Sequence, residues 1–77
     1  MLGRRALRVS GKDVLAALRR LGYAPVEVRG SHHYLRHPER GGLVTVSIHG
    51  TSPLKPKTLK SVLNQAGLTE DELREEL

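Results

Sequence analysis

The 77-residue chain contains no cysteine, no tryptophan and no phenylalanine. Apart from its histidines, its aromatic side chains are Tyr23 and Tyr34. Without cysteine the protein can hold no disulfide framework, no iron–sulfur cluster and no zinc ion bound through thiolates. With two tyrosines it lacks the several stacking rings that sheet-based binders of single-stranded nucleic acid use. Any nucleic acid bound by this chain is therefore expected to be held mainly through its backbone.

Long hydrophobic runs are also missing. No apolar stretch approaches the roughly 18 residues that a membrane-spanning helix needs, so we expect no membrane partner. Residues 1–9 are basic through Arg4, Arg5 and Arg8, but no apolar run follows them as it would in a secretory signal. The chain is therefore expected to be cytoplasmic, and its length allows one domain.

Acidic residues are scarce outside the last eight positions. Residues 70–77 contain five of the eight acidic side chains, which leaves 12 basic and 3 acidic side chains in residues 1–69, a balance of +9. A body this basic favours a polyanionic partner, for which nucleic acid is the first candidate, although plain solubility would also account for surface charge.

The spacing of apolar residues predicts a helix over residues 11–21. Val14, Leu15, Leu18 and Leu21 fall on one helical face, and Ser10 with Asp13 forms a capping pattern ahead of them. Residues 1–9 show no such period, and we interpret them as a mobile basic arm, with a start-site extension or a flanking strand as alternatives. Residues 10–77 are then the single domain.

Three strands are predicted after this helix. Residues 26–29 alternate apolar with charged side chains, Gly30-Ser31 suits a two-residue turn, and residues 32–37 and 43–49 form the second and third strands. Because the strands are close in sequence, an antiparallel meander is the simplest topology. Its core-facing residues are expected to be Val26, Val28, Leu35, Val44, Val46 and Ile48.

A second helix is predicted to begin at Pro56 and to end at Gly67, and Thr69 with Glu72 forms a second capping pair before a short acidic helix. The fold class is therefore α+β, a two-layer sandwich of a three-stranded antiparallel sheet with two helices on one face and a short C-terminal helix. This α-β-β-β-α layout is that of double-stranded-RNA-binding domains. The other sheet face is expected to be open to water.

Strand alternation assigns the side chains of the second strand to opposite faces. If Leu35 faces the core, then His32, Tyr34 and Arg36 face solvent beside Thr45 and Ser47 of the third strand. An imidazole that exchanges protons near neutral pH and a guanidinium that binds phosphate are suited to a phosphodiester. A surface histidine without a function is the competing interpretation.

The other histidines fit structural roles better. His33 and His37 fall on the core side, where we expect them to be packed or hydrogen-bonded. Neighbours on a strand point to opposite faces, so His32 and His33 cannot share a metal ion without a bulge, and no acidic residue stands near them. We therefore expect no metal site and no other cofactor.

The turn and second strand resemble a known family. Residues 30–38 read Gly-Ser-His-His-Tyr-Leu-Arg-His-Pro, which is similar to the Gly-Ser-His-His-x-Phe-x-His-Pro signature of HicA-type (YcfA-like) toxins. Residues 44–46 and 54–68 also resemble that family, and the number of residues between the opening helix and the Gly-Ser-His segment matches as well. The resemblance covers about residues 10–68, with three matching blocks in order.

This resemblance implies a double-stranded-RNA-binding-like fold and a ribosome-independent mRNA endonuclease of a type II toxin–antitoxin system. Its partners would be mRNA, single-stranded or structured, and a HicB-type antitoxin. Carried over by position, the catalytic residue is His32, and Gly30 with Ser31 forms the turn that supports it. The chain departs from the family pattern in three places. Leu35 stands where Phe is common, and residues 1–9 precede the usual start. Lys57 stands where we expect Gly, and lysine would be strained there if that position needs a positive φ.

A mechanism without metal follows as a hypothesis. His32 would take the proton of a ribose 2′-hydroxyl, which attacks the adjacent phosphorus and leaves a 2′,3′-cyclic phosphate. Tyr34, His49 or solvent remain open as the acid. The candidate RNA or phosphate contacts are Tyr34, Arg36, Lys55, Lys57 and Lys60. Two rival functions stay open: a non-catalytic basic RNA-binding module and a protein–protein interaction domain.

Overall fold

The computed structural model describes residues 7–77, which form three helices and three strands in the predicted order. The helices are α1 Gly11–Arg20, α2 Pro56–Ala66 and α3 Glu70–Arg74, and the strands are β1 Ala24–Arg29, β2 His32–Arg36 and β3 Val44–Ser47. The strands form one antiparallel sheet of order β1-β2-β3. The predicted fold class, α+β with the layout of a double-stranded-RNA-binding domain, is thereby confirmed.

Local sequence signals account for where the helices begin and end. The Ser10 hydroxyl accepts from the Asp13 amide at 3.1 Å, and the Asp13 carboxylate accepts from the Ser10 amide at 3.2 Å, which is the predicted capping box. Pro56 occupies the first turn of α2, and Gly67 ends that helix in the left-handed conformation at φ 69°.

The second capping pair is also present at the start of α3. The Thr69 amide donates to the Glu72 carboxylate at 2.9 Å, and the Glu72 amide donates to the Thr69 hydroxyl at 3.1 Å. The hydrogen bond from the Thr69 backbone lowers the pKa of the Glu72 carboxyl below its usual range, because it stabilises the ionised form.

Lys57 lies within α2, and no residue other than glycine has a positive φ in residues 7–77, so the expected strain at Lys57 is not found.

One hydrophobic core lies between the helices and the sheet. Its most deeply buried side chains come from β2 and β3 and from the inward faces of the three helices. The core consists of Val9, Val14, Ala17, Leu18, Tyr23, Leu35, Val44, Val46, Leu59, Val62, Leu63, Ala66, Leu68 and Leu73. Both α1 and α2 pack against β3, and the Gln65 side chain of α2 accepts the edge amide of Thr45 at 2.8 Å.

The prediction that Val26 and Val28 belong to the buried core is wrong. Both are 54% exposed, and every residue of β1 is exposed. The helices pack against β3 at one edge of the sheet, whereas β1 forms the opposite edge, and its register shifts between Pro25 and Glu27. The alternation in β1 places Val28 on the helix-facing side of the sheet, but Val28 stays exposed there because α1 and α2 pack against β3. Ile48 is half-buried at the end of β3.

The predicted arm packs against the domain in the part that is described. Val9 is 6% exposed within the core, Leu7 packs against that core, and the Leu54 amide donates to the Val9 carbonyl at 2.7 Å. Ser10 then forms an isolated antiparallel β-bridge with Pro53. Residues 1–6 of that arm, with Arg4 and Arg5, lie outside the described residues.

Gly11 lies where α1 passes close to the end of β3. A β-carbon at this position would lie 2.5 Å from the Ser47 carbonyl oxygen, a backbone atom that cannot move by itself. We predict that Gly11→Ala destabilises the domain by about 1–3 kcal/mol, as overpacking does, although alanine is the better helix former. Urea unfolding measures this change. Lys12→Ala, at the next and exposed position, should stay within about 0.5 kcal/mol of the parent chain. A Gly11→Ala protein as stable as the parent would contradict the contact.

Candidate functional site

The open face of the sheet carries His32 at the start of its central strand. His32 is exposed, and the register places it opposite Arg29 of β1 and opposite Ser47 of β3. Directly opposed residues in an antiparallel sheet share a face, and their Cα atoms lie about 4.5–5.5 Å apart. One row across the sheet therefore combines a guanidinium, an imidazole and a hydroxyl.

The next row along the same face is centred on Tyr34. Tyr34 is opposed by Glu27 on β1 and by Thr45 on β3. Glu27 forms an ion pair with Arg29, which links the two rows at the β1 edge. This pair lies in water and its attraction is weak, so the Arg29 guanidinium keeps access to an added anion.

Arg36 belongs to a third row on this face and is opposed by Ala24. It is exposed, as His32 is. The sequence-based assignment of His32, Tyr34 and Arg36 to one face therefore agrees with the observed register, in which Leu35 between them is fully buried.

The turn before β2 fixes where this strand begins and thereby positions His32, its first residue. Gly30 has φ 57° and Ser31 has no positive φ, which is the sign pattern of a type II′ hairpin turn. The Ile48 amide donates to the Ser31 carbonyl at 2.8 Å and extends the pairing of β3 to the turn. Apart from the two chain neighbours, no atom of residues 7–77 would lie within 4 Å of a β-carbon at Gly30, so the backbone angle, not the available space, favours glycine there.

The other two histidines of the motif have structural surroundings. His33 is half-buried on the helix-facing side, opposed by Val28 and Val46. The His37 Nδ1 atom accepts from the amides of Glu39 and Arg40 at 3.1 and 3.3 Å, and its ring meets Tyr23 edge-on at 5.0 Å. The packed and hydrogen-bonded role expected for His37 is thereby confirmed.

A cavity of about 370 Å³ opens where β3 leads into α2. Ser47, the residue opposite His32, is one of its lining residues, so the cavity adjoins the first row of the open face. Its lining residues are Ser47, His49, Ser52, Pro53, Leu54, Lys55 and Thr58. Sequence reasoning included Ser47, His49 and Lys55 among the candidates but missed Ser52 and Thr58, because nothing in the local pattern brings this loop to the first turn of α2.

The three candidate lysines occupy different positions relative to the cavity. Lys55 lines the cavity, whereas Lys57 and Lys60 are exposed on α2 outside its lining. Lys55 precedes α2 as its N-cap residue and makes no capping hydrogen bond with its side chain.

The residues that the structure describes contain no group of three or more histidine and acidic side chains suited to a metal ion. The same residues include no helix that is both long and apolar enough to cross a membrane.

Comparison with known proteins identifies the family. The sequence model described as "HicA toxin of bacterial toxin–antitoxin" matches residues 11–68, a span from the start of α1 to just beyond α2. This span contains β2 with its histidines and the cavity. A search of curated proteins found no match. Because the family match covers most of the chain, this protein belongs to the HicA family of toxins from bacterial toxin–antitoxin systems, whose members act together with an antitoxin partner.

Proposed function

We propose that this toxin is a ribosome-independent, metal-independent endoribonuclease that cleaves mRNA with His32 as its catalytic residue. The observation that carries this proposal is the exposed imidazole at the start of β2, which is opposed by Arg29 and Ser47 on an open sheet face. Imidazole is the side chain suited to taking and returning a proton near neutral pH.

The reaction uses the ribose of the RNA itself as nucleophile. His32 removes the proton from a 2′-hydroxyl, whose oxygen forms a bond to the adjacent phosphorus while the bond to the 5′-oxygen of the next nucleotide breaks. A proton delivered to that 5′-oxygen completes cleavage, and the products carry a 2′,3′-cyclic phosphate and a 5′-hydroxyl. Tyr34, His49 and solvent are the candidate proton donors.

Charge on the phosphate requires cationic partners near His32. Arg29 was not among the sequence-predicted contacts, yet the register places it directly opposite His32, and Arg36 lies two rows away on the same face. A guanidinium beside the developing negative charge stabilises the transition state more than the ground state. We assign Arg29 this supporting role, and Tyr34, Arg36, Lys55, Lys57 and Lys60 the binding of RNA.

The antitoxin partner is proposed to be a HicB-type protein that covers the open face in the cytoplasm. Residues 1–69 carry a balance of +9, which favours an acidic partner, and covering His32 would block access of RNA.

Product analysis tests the reaction. We expect the purified chain to cleave single-stranded RNA with equal rates in the presence and absence of a chelator, and to leave 2′,3′-cyclic phosphate ends detectable by mass spectrometry. An otherwise identical DNA strand should stay intact, because it lacks the 2′-hydroxyl. Cleavage that needs a divalent metal, or that also degrades DNA, would contradict the mechanism.

A further inference from the structure

We propose that the cavity between β3 and α2 binds a phosphate of the RNA backbone next to the cleaved bond. This inference rests on the proposed function, since it assigns a second contact to the same substrate. The ligand class is a phosphodiester with its attached ribose.

The position of the cavity follows from the register of the sheet. Ser47 opposes His32 and also lines the cavity, so one residue belongs to both. His49 follows Ser47 by two residues, which span at most about 7 Å in an extended chain. A strand of RNA whose cleaved phosphate lies at His32 therefore reaches the cavity within one nucleotide step.

The lining has the chemistry that a phosphate requires. Lys55 supplies a positive charge, and Ser47, Ser52 and Thr58 supply hydroxyl donors, with the imidazole of His49 among them. No carboxylate belongs to the residues that line the cavity. Donors that surround an anion in a partly enclosed site bind it more strongly than the same groups spread over an open surface, because water competes less there.

The size of the cavity also fits this ligand. Its volume of about 370 Å³ falls at the lower end of the roughly 300–1,000 Å³ of small-molecule sites. Pro53 and Leu54 add an apolar wall on which the ribose can pack. A protein partner could also place an acidic side chain here, but Ser47, which is shared with the His32 row, favours the substrate.

A binding experiment with RNA that cannot be cleaved tests this site. The probe is a short single-stranded oligonucleotide, 2′-O-methylated throughout, whose affinity is measured by fluorescence anisotropy at several salt concentrations. Lys55→Gln is expected to weaken binding about tenfold, the effect of one charge-assisted contact. It should also lower the slope of log affinity against log salt by about 0.7, the value for one phosphate contact to a single strand.

Lys12→Gln is the matched control, because Lys12 is exposed on α1 and does not line the cavity. It removes the same charge and is expected to change affinity less than twofold. Thr58→Val keeps the shape of a half-buried residue and should weaken binding while leaving the salt slope unchanged. Thermal melting of each variant confirms that it is folded.

The outcomes separate this inference from the proposed function. If Lys55→Gln behaves like Lys12→Gln, or weakens binding of the antitoxin and not of the oligonucleotide, the phosphate site is overturned even where the parent chain cleaves RNA. If Lys55→Gln weakens oligonucleotide binding as stated, the site stands, and cleavage of unmodified RNA by the parent chain decides the proposed function separately.

Discussion

Replacing His32 by alanine is expected to lower the rate of RNA cleavage by about 10²–10⁴-fold, the usual contribution of a general base. The side chain is exposed at the end of a hairpin, so its removal should change the free energy of unfolding by no more than about 0.5 kcal/mol. Single-turnover cleavage of a labelled RNA measures the rate, and growth after induced expression measures toxicity. The variant should bind uncleavable RNA nearly as well as the parent chain.

His33→Ala is the matched control, since it removes the same side chain from the next position on the opposite face. His33 is half-buried between Val28 and Val46, so this variant is expected to lose some stability but to keep its cleavage rate per folded molecule. If His32→Ala cleaves RNA as fast as the parent, the catalytic assignment is wrong. If neither protein cleaves RNA while both bind it, the chain is a non-catalytic RNA-binding module.

Val46→Ala is expected to destabilise the domain by about 2–3 kcal/mol, because it removes two methylene equivalents from a fully buried site and leaves a cavity. For a domain of this size that loss corresponds to a fall in Tm of roughly 8–24 °C. Val28→Ala should cost less than about 1 kcal/mol, since this side chain is already 54% exposed.

The two valines form a close comparison. Both oppose His33, one on each side, and both point to the helix-facing side of the sheet. Both substitutions change strand propensity in the same way. The difference between their losses of unfolding free energy therefore measures how much the packing of the helices over β3 contributes. Thermal and urea unfolding measure both variants. Equal losses would contradict the exposed position of β1.

The helix boundaries of this protein were readable from local sequence. Two helices begin with capping boxes, each formed by residues three positions apart, namely Ser10 with Asp13 and Thr69 with Glu72. Pro56 and Gly67 mark the two ends of α2 through their own backbone preferences. Such signals involve only neighbours in the chain, so no knowledge of packing was needed to find them.

The face occupied by His32 was also determined by the sequence. Alternation along a strand is a property of the backbone, and the apolar Leu35 fixes which set of side chains turns inward. The family signature indicated the same residue by resemblance. The catalytic role of His32 stays a prediction that the cleavage experiment decides.

Only the tertiary structure decided which part of the sheet the helices cover and which residues surround the cavity. The alternation in β1 resembles that in β3, yet Val28 is exposed and Val46 is buried, because α1 and α2 pack over one edge of the sheet. Thr58 and Ser52 meet Ser47 through the path of the loop that leads into α2. Strand alternation selects a face but carries no information about lateral position, which depends on contacts between segments far apart in the chain.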